Sequence, residues 1–437
     1  MSTSIDWLAQ RGHPLRGSLR VPGDKSISHR AMMLGALADG VCHVSGFLEG
    51  EDTLATAAAF RAMGVRIDED GPGRKRVHGV GIDGLKPPSA PINCGNAGTG
   101  MRLLAGLLAG QRFDSVLIGD ESLSKRPMRR VTEPLARMGA RIDTADNGQP
   151  PLYIHGGQAL SGVEYDLPVA SAQVKSALLL AGLYANGETV VREPHPTRDY
   201  TERMLAALGW PIEFSPGQAR LSGGHRLHAA DIVVPSDFSS AAFFLVAASI
   251  VPGSELLLEG VGMNPRRTGL IYALRLMGAD IVERNAREEG GEPVADLWVR
   301  HAPLHGAEIP EAIVPDMIDE FPVLFIAAAV ASGTTVVRGA AELRVKESDR
   351  IAVMATGLRA MGARVDETPD GAVIHGGTAL GGAQVQAHHD HRIAMSFVVA
   401  AQLASAPVRI EGCETVATSF PGFLELATGC GMAIGAA

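Results

Sequence analysis

The chain has 437 residues, with 39 Lys or Arg against 48 Asp or Glu and a formal net charge of −9, so general nucleic-acid binding is excluded and any anion site must be a local basic cluster. That length points to two or three domains, and the 52 glycines against an aromatic content of 5% point to close helix–sheet packing with many tight turns. Cys42, Cys94, Cys413 and Cys430 form no CxxC pair and no zinc spacing, which leaves reduced thiols and excludes a disulfide framework.

The first ten residues carry no basic-then-apolar export pattern, and a soluble, cytoplasmic protein is expected. The first informative stretch is Pro22-Gly23-Asp24-Lys25-Ser26-Ile27-Ser28-His29-Arg30. A Pro-Gly turn hands over to Asp24, a good helix N-cap, with Lys25, Ser26 and Ser28 in the first turn and Arg30 a turn further on. Free N–H groups at a helix start favour an anion, and Arg adds a two-pronged grip on phosphate or carboxylate.

Met63-Gly64-Val65-Arg66-Ile67 begins a repeat. It returns as Met138-Gly139-Ala140-Arg141-Ile142, Leu208-Gly209-Trp210-Pro211-Ile212, Met277-Gly278-Ala279-Asp280-Ile281 and Met361-Gly362-Ala363-Arg364-Val365. The spacing of roughly 70–85 residues is longer than that of common solenoids. Upstream, apolar residues step at i, i+4, i+7, as in Val131/Leu135/Met138 and Met354/Leu358/Met361, so each Gly falls where a helix takes a left-handed closing residue. Short β-branched alternations follow as strands.

Before each such helix stands a predicted strand (Val41–Ser45, Ser115–Ile118, Thr189–Arg192, Glu255–Leu258, Thr334–Val337, Pro407–Ile410), and before each strand a helix of small apolar residues. Those first helices open on Asp24-Lys25-Ser26, Asn96-Ala97-Gly98-Thr99, Ser171-Ala172-Gln173, Asp237-Phe238-Ser239-Ser240, Asp319-Glu320 and Asp390-His391-Arg392. The sixth copy is expected to fray out over Leu426–Ile434. Six units predict two domains of three, parting near Val234-Pro235-Ser236, each with sheets wrapped around central helices. No apolar run, including Ala241–Val251 and Val323–Ala331, is long enough to span a bilayer.

The chemistry-bearing residues fall at equivalent places in the units. Lys25, Ser26, Arg30, Asn96, Gly98, Arg102, Ser171, Gln173, Asp319, Glu320, Asp390, His391 and Arg392 lie at first-helix openings. Lys125, Arg126, Arg129, Arg198, Lys346, Glu347 and Arg350 lie between strand and second helix. Many cations around few carboxylates are the pattern expected for a pair of small polyanions. Gly95-Asn96-Ala97-Gly98-Thr99-Gly100 is neither a P-loop nor a dinucleotide fingerprint; it reads as a nest of backbone N–H groups beside Arg102. His388-His389-Asp390-His391 lacks partners at zinc spacing, and no metal site is expected.

Pro22–Arg30, Asn96–Arg102, Arg126-Pro127-Met128, Leu343–Arg350 and Asp390-His391-Arg392 together resemble the 5-enolpyruvylshikimate-3-phosphate synthase family, over essentially the whole chain. The resemblance implies an α/β fold: a two-domain inside-out α/β barrel with three βαβαββ repeats in each domain. Residues 21–235 would form the N-terminal domain, and residues 1–20 plus 236–437 the C-terminal one. It implies transfer of the enolpyruvyl group of phosphoenolpyruvate to the 5-hydroxyl of shikimate 3-phosphate, with release of phosphate, in aromatic amino-acid synthesis.

Carried over by motif, shikimate 3-phosphate would meet Lys25, Ser26, Arg30, Ser171, Ala172, Gln173, Arg198, Asp319 and Lys346. Phosphoenolpyruvate would meet Lys25, Asn96, Gly98, Arg126, Gln173, Glu347, Arg350 and Arg392. Asp319, Glu347 and Lys25 would be catalytic. No metal or organic cofactor, nucleic acid or membrane is implied; the two substrates are the partners of a monomer. The chain departs from the better-known branch at Ala172, where that branch has a second Ser, and at Thr418, where it has a Lys. Met317-Ile318-Asp319-Glu320 and Ala417–Pro421 are instead similar to the family's second class, which includes glyphosate-tolerant members that carry Ala at the place of Gly98. Because this chain keeps Gly98, inhibition by glyphosate is expected.

Two alternatives stay open at this point. A sister enolpyruvyl transferase acts on UDP-N-acetylglucosamine and usually carries a loop Cys before its Arg-Pro motif; Glu121-Ser122-Leu123-Ser124-Lys125-Arg126-Pro127 has none. A non-catalytic anion binder on the same scaffold would gain nothing from Asp319 and Glu347 beside phosphate.

Overall fold

The computed structural model describes residues 5–437; residues 1–4, part of the stretch read above for an export signal, lie outside the described residues. Contacts divide the chain into two compact units. The N-terminal unit comprises Gly23–Val234 with Glu288–Glu292, and the C-terminal unit the residues up to Pro22, Pro235–Arg287 and Pro293–Ala437.

Each unit has its own apolar core, and in each the core is made by the first helices of three repeats. In the N-terminal unit these are Lys25–Leu37, Gly98–Ala109 and Ala172–Gly182. The last two pack so closely that a Cβ on Gly106 would lie 2.1 Å from the carbonyl oxygen of Ala177, which only the missing side chain permits. In the C-terminal unit Phe238–Ile250, Phe321–Val330 and His391–Ala401 pack against one another. Every residue of Phe238–Ile250 is buried, which is why its sequence shows no polar face. Helices inside and sheets outside define the inside-out α/β arrangement.

Each unit carries three sheets of one design. In the second repeat, Ile92–Asn93 pairs parallel with Ser115–Ile118, which pairs antiparallel with Gln149–His155, itself antiparallel to Arg141–Ala145. The third repeat reproduces this order with Glu164–Asp166, Glu188–Arg192, Gln218–Ser222 and Ile212–Ser215. Other repeats borrow a strand. Leu227–His228 and Ile232–Val233 supply the parallel partner of Ala38–Ser45, closing the N-terminal unit on itself. Arg16–Leu19 does the same for Glu255–Gly262, and Trp7–Gln10 lies between Val408–Glu411 and Ala433–Ala436. In the fifth repeat the parallel partner shrinks to isolated bridges, Glu308 to Val336 and His305 to Ser332.

The five glycines that follow the second helices all have positive φ, from 84° at Gly209 to 96° at Gly139. The sixth repeat does not fray out as its sequence reads. The Phe423–Gly429 helix ends at Cys430, Gly431 takes φ 118°, and the strand Ala433–Ala436 follows. Trp7 stacks on Phe423 at 5.8 Å, so the borrowed N-terminal strand packs on this last helix.

Candidate active site

In the N-terminal unit, Gly98 opens its helix without a side-chain cap, and two guanidiniums converge on it. A methyl added there would lie 3.0 Å from Nη1 of Arg126 and 3.2 Å from Nη1 of Arg102. Nη2 of Arg126 donates to Asn96 Oδ1 at 2.7 Å, and Asn96 Nδ2 donates to Asp120 Oδ2 at 2.7 Å. Arg102 Nη1 donates to Gln173 Oε1 at 2.8 Å, and Gln173 Nε2 to Thr99 Oγ1 at 2.9 Å. The fold thus brings together Asn96, Gly98, Arg102, Arg126 and Gln173 from two helix starts and one loop, as a helix N-terminus flanked by two forked cations. The backbone nest is partly committed already: Gly98 N donates to Asn96 O and Ala97 N to Cys94 O.

The other candidate residues in this unit are held separately. Asp24 caps its helix through Ile27 N at 2.9 Å, and Lys25 Nζ is 3.1 Å from Asp52 Oδ2. Arg30 is only 3% exposed. It donates from Nε to Thr201, from Nη1 to Ser26 O and from Nη2 to Ser176, so it ties its helix to two others. Burial pushes its guanidinium down to about 10. Ser171 caps the next helix through Val174 N at 3.4 Å. Ala172 follows as its first residue, with no polar side chain to offer. Arg198 is half-buried just ahead of the Tyr200–Ala207 helix. Lys125 and Arg129 are exposed, and Lys125 pairs with Glu121.

In the C-terminal unit the carboxylates and cations form one network. Asp319 Oδ1 lies 3.5 Å from Arg350 Nη1 and 3.7 Å from Lys346 Nζ, and its Oδ2 lies 3.3 Å from Arg267 Nη1. Glu347 Oε2 accepts from Arg350 Nη2 at 2.6 Å. Arg350 is 2% exposed and also donates from Nε to Asp390 Oδ2 at 2.8 Å. Burial works against its charge, but Asp390, Glu347 and Asp319 outweigh it and raise its pKa. Asp390 caps the helix of Arg392 through Arg392 N at 3.0 Å. Arg392 Nη1 stands 3.6 Å from Glu320 Oε1, which also accepts from Ser239. Thr418 donates its hydroxyl to Thr415 O at 2.7 Å, within its own short helix.

Arg267, not singled out in the sequence, joins this network. It is 5% exposed and sits among Asp237, Asp319 and Glu320. The signal was available: Asn264-Pro265-Arg266-Arg267 occupies, in the fourth unit, the loop that carries Arg126 and Lys346 in others. Asp52, the partner of Lys25, carried no such signal. Among the described residues, no group of three or more His, Cys, Asp or Glu is placed to hold a metal ion. All four thiols are buried, and burial pushes Cys94 and Cys413 up to about 12.

The same architecture occurs in the enolpyruvyl transferase NikO from Streptomyces tendae, with a TM-score of 0.80 at 18% identity over 99% of both chains, so the fold is that of an enolpyruvyl transferase. EPSP synthase from Acinetobacter baumannii superposes with a TM-score of 0.91 at 53% identity over 100% of both chains. The family model for EPSP synthase (3-phosphoshikimate 1-carboxyvinyltransferase) matches residues 9–426. A 3-phosphoshikimate 1-carboxyvinyltransferase of Xanthomonas euvesicatoria pv. vesicatoria is 69% identical over 99% of this chain and 98% of its own. One from Xanthomonas campestris pv. campestris is 69% identical over 100% of both. The chain belongs to the EPSP synthase family.

Proposed function

We propose that the chain transfers the enolpyruvyl group of phosphoenolpyruvate to the 5-hydroxyl of shikimate 3-phosphate, as a 3-phosphoshikimate 1-carboxyvinyltransferase of the shikimate pathway. The observation that carries the reading is Asp319 held by Arg267, Lys346 and Arg350 while Glu347 grips the same Arg350. Two carboxylates set among cations suit proton transfer between bound anions, and an anion store would not need them.

In this mechanism Asp319 accepts the proton of the 5-hydroxyl as its oxygen attacks C2 of phosphoenolpyruvate. Glu347 or Lys25 delivers a proton to the C3 methylene, giving a tetrahedral ketal phosphate. Return of a proton from C3 then expels phosphate and leaves the enolpyruvyl ether. Shikimate 3-phosphate is assigned to Lys25, Ser26, Arg30, Ser171, Ala172, Gln173, Arg198, Asp319 and Lys346. Phosphoenolpyruvate is assigned to Lys25, Asn96, Gly98, Arg126, Gln173, Glu347, Arg350 and Arg392. Arg102 joins the second set, because it shares Gly98 with Arg126. The cations offset the repulsion between two anions brought together, which is where much of the rate gain from proximity originates.

The chain is taken to work as a cytoplasmic monomer on these two small molecules; four buried free thiols support a reducing compartment. Residues 21–235, and 1–20 with 236–437, are taken as its two domains, which the division of contacts at Pro22 and Val234 supports. Proton NMR of the reaction mixture tests the chemistry. The vinyl protons of an enolpyruvyl ether should grow in as those of phosphoenolpyruvate decline, and a mixture in which they never appear rules the activity out.

A further inference from the structure

Lys175 lies one turn into the Ala172–Gly182 helix and is 3% exposed. Its Nζ is 2.8 Å from Glu193 Oε2 and 2.8 Å from Glu202 Oε1, and those side chains are themselves buried. Two carboxylates bracket the one ammonium, Glu202 also attracts the buried Arg30 guanidinium, and Glu202 Oε2 has no hydrogen-bond partner. Burial raises the pKa of Glu202 against the pull of Lys175, while Glu202 and Glu193 hold Lys175 charged against burial. Stability alone gives no reason to keep such a group, since well-packed apolar residues generally serve a core as well or better.

Glu193 is the branch point. The oxygen that meets Lys175 also accepts from Thr197 N at 3.2 Å, and the other oxygen accepts from Thr197 Oγ1. It therefore closes the loop Glu193-Pro194-His195-Pro196-Thr197, in which two prolines already limit the backbone. The next residue is Arg198. Beyond it, Glu202 belongs to the Tyr200–Ala207 helix. Lys175 thus joins the segments on both sides of Arg198 to the helix that starts at Ser171, Ala172 and Gln173.

The geometry points to Lys175 as a positioning residue that, through Glu193 and Glu202, fixes the Arg198 guanidinium relative to Ser171–Gln173 for the anionic end of shikimate 3-phosphate. This rests on the assignment of Arg198 to that substrate. A guanidinium set in advance loses less freedom when the anion arrives than one on a loose loop.

The test compares Lys175→Met, Lys175→Arg and Thr197→Ala with wild type and with Arg198→Ala, in steady-state assays on the full chain. Lys175→Met and Thr197→Ala should raise KM for shikimate 3-phosphate about 10- to 100-fold, the scale of a small misplacement, while KM for phosphoenolpyruvate and kcat stay within about threefold. Lys175→Arg should recover most of the loss. In the Arg198→Ala background Lys175→Met should add nothing, because the group it positions is gone. Fully additive losses, equal rises in both KM values, or unchanged KM in both variants would overturn the proposal. If Lys175→Met does not fold, Thr197→Ala leaves the buried charges in place and decides by the same readouts. Wild-type enzyme inactive on the two substrates would instead overturn the functional reading, and this inference with it.

Discussion

Arg350 and Asp390 meet in the interior of the C-terminal unit through two hydrogen bonds, Nε to Oδ2 at 2.8 Å and Nη2 to Oδ1 at 3.3 Å. The same carboxylate accepts from Ser348 Oγ and caps the helix that begins His391-Arg392. One side chain thereby aligns two cations assigned to phosphoenolpyruvate. Asp390→Asn keeps a good cap but removes the charge. Breaking a buried ion pair of this kind should lower the unfolding free energy by about 3–5 kcal/mol, read by urea denaturation. A loss below about 1 kcal/mol would mean that the charge of Asp390 is not what holds Arg350.

Asp319→Asn and Glu347→Gln each leave the shape of the network intact and remove a proton carrier. Each should lower kcat by roughly 10²–10⁴-fold, the usual contribution of a general acid or base, with smaller changes in KM. Near-wild-type turnover in either variant removes that residue from the mechanism.

Gly98→Ala brings a methyl to 3.0 Å from Arg126 and 3.2 Å from Arg102, tighter than ordinary contact, so the ends of both side chains must give way. The methyl therefore acts on the ligand largely through displaced cations. Strain of one methyl typically costs about 1–3 kcal/mol, or roughly 5- to 150-fold in affinity. Glyphosate is longer than phosphoenolpyruvate, so its Ki should rise by more than the KM for phosphoenolpyruvate. Inhibition assays on both forms check this; a wild-type enzyme already indifferent to millimolar glyphosate would contradict it.

The repeat was legible because its key residue has a backbone requirement: a helix that closes on a left-handed residue demands Gly, and Gly64, Gly139, Gly209, Gly278 and Gly362 all adopt positive φ. The sixth copy hid because Cys430-Gly431-Met432 replaces the Met-Gly pattern, although Gly431 performs the same turn. The N-terminal strands Trp7–Gln10 and Arg16–Leu19 were illegible for another reason. Each completes a sheet whose other members lie hundreds of residues away, and local alternation in four residues cannot announce that. In the site, first-turn cations and the Arg-Pro loop could be read from helix-start chemistry. Pairings such as Lys25 with Asp52, or Lys175 with Glu193 and Glu202, depend on which helix ends the fold brings together, and spacing does not encode them.

His29 supplies a pH prediction. It is fully buried, with Nδ1 2.8 Å from Thr56 Oγ1. Burial, aided by the charges of Lys25 and Arg30, pushes its pKa down to about 3. The unfolded chain takes up this proton near pH 6.5, the folded one near 3. The stability that rests on neutral His29 is therefore complete above pH 6.5 and is lost progressively as pH falls towards 3, by an amount on the order of 5 kcal/mol. His29→Gln should flatten the fall of unfolding free energy between about pH 6.5 and 4 relative to wild type. Parallel curves for the two proteins would show that another group carries the acid sensitivity.

On the proposed function, this one chain joins phosphoenolpyruvate to shikimate 3-phosphate. The decisive assay follows release of inorganic phosphate with each compound alone and then with both. Neither compound alone should release phosphate; the mixture should release it continuously, matched by loss of phosphoenolpyruvate, and release should cease when UDP-N-acetylglucosamine replaces shikimate 3-phosphate. Release from a single compound, release with the sugar nucleotide, or none from the pair would rule out this transfer.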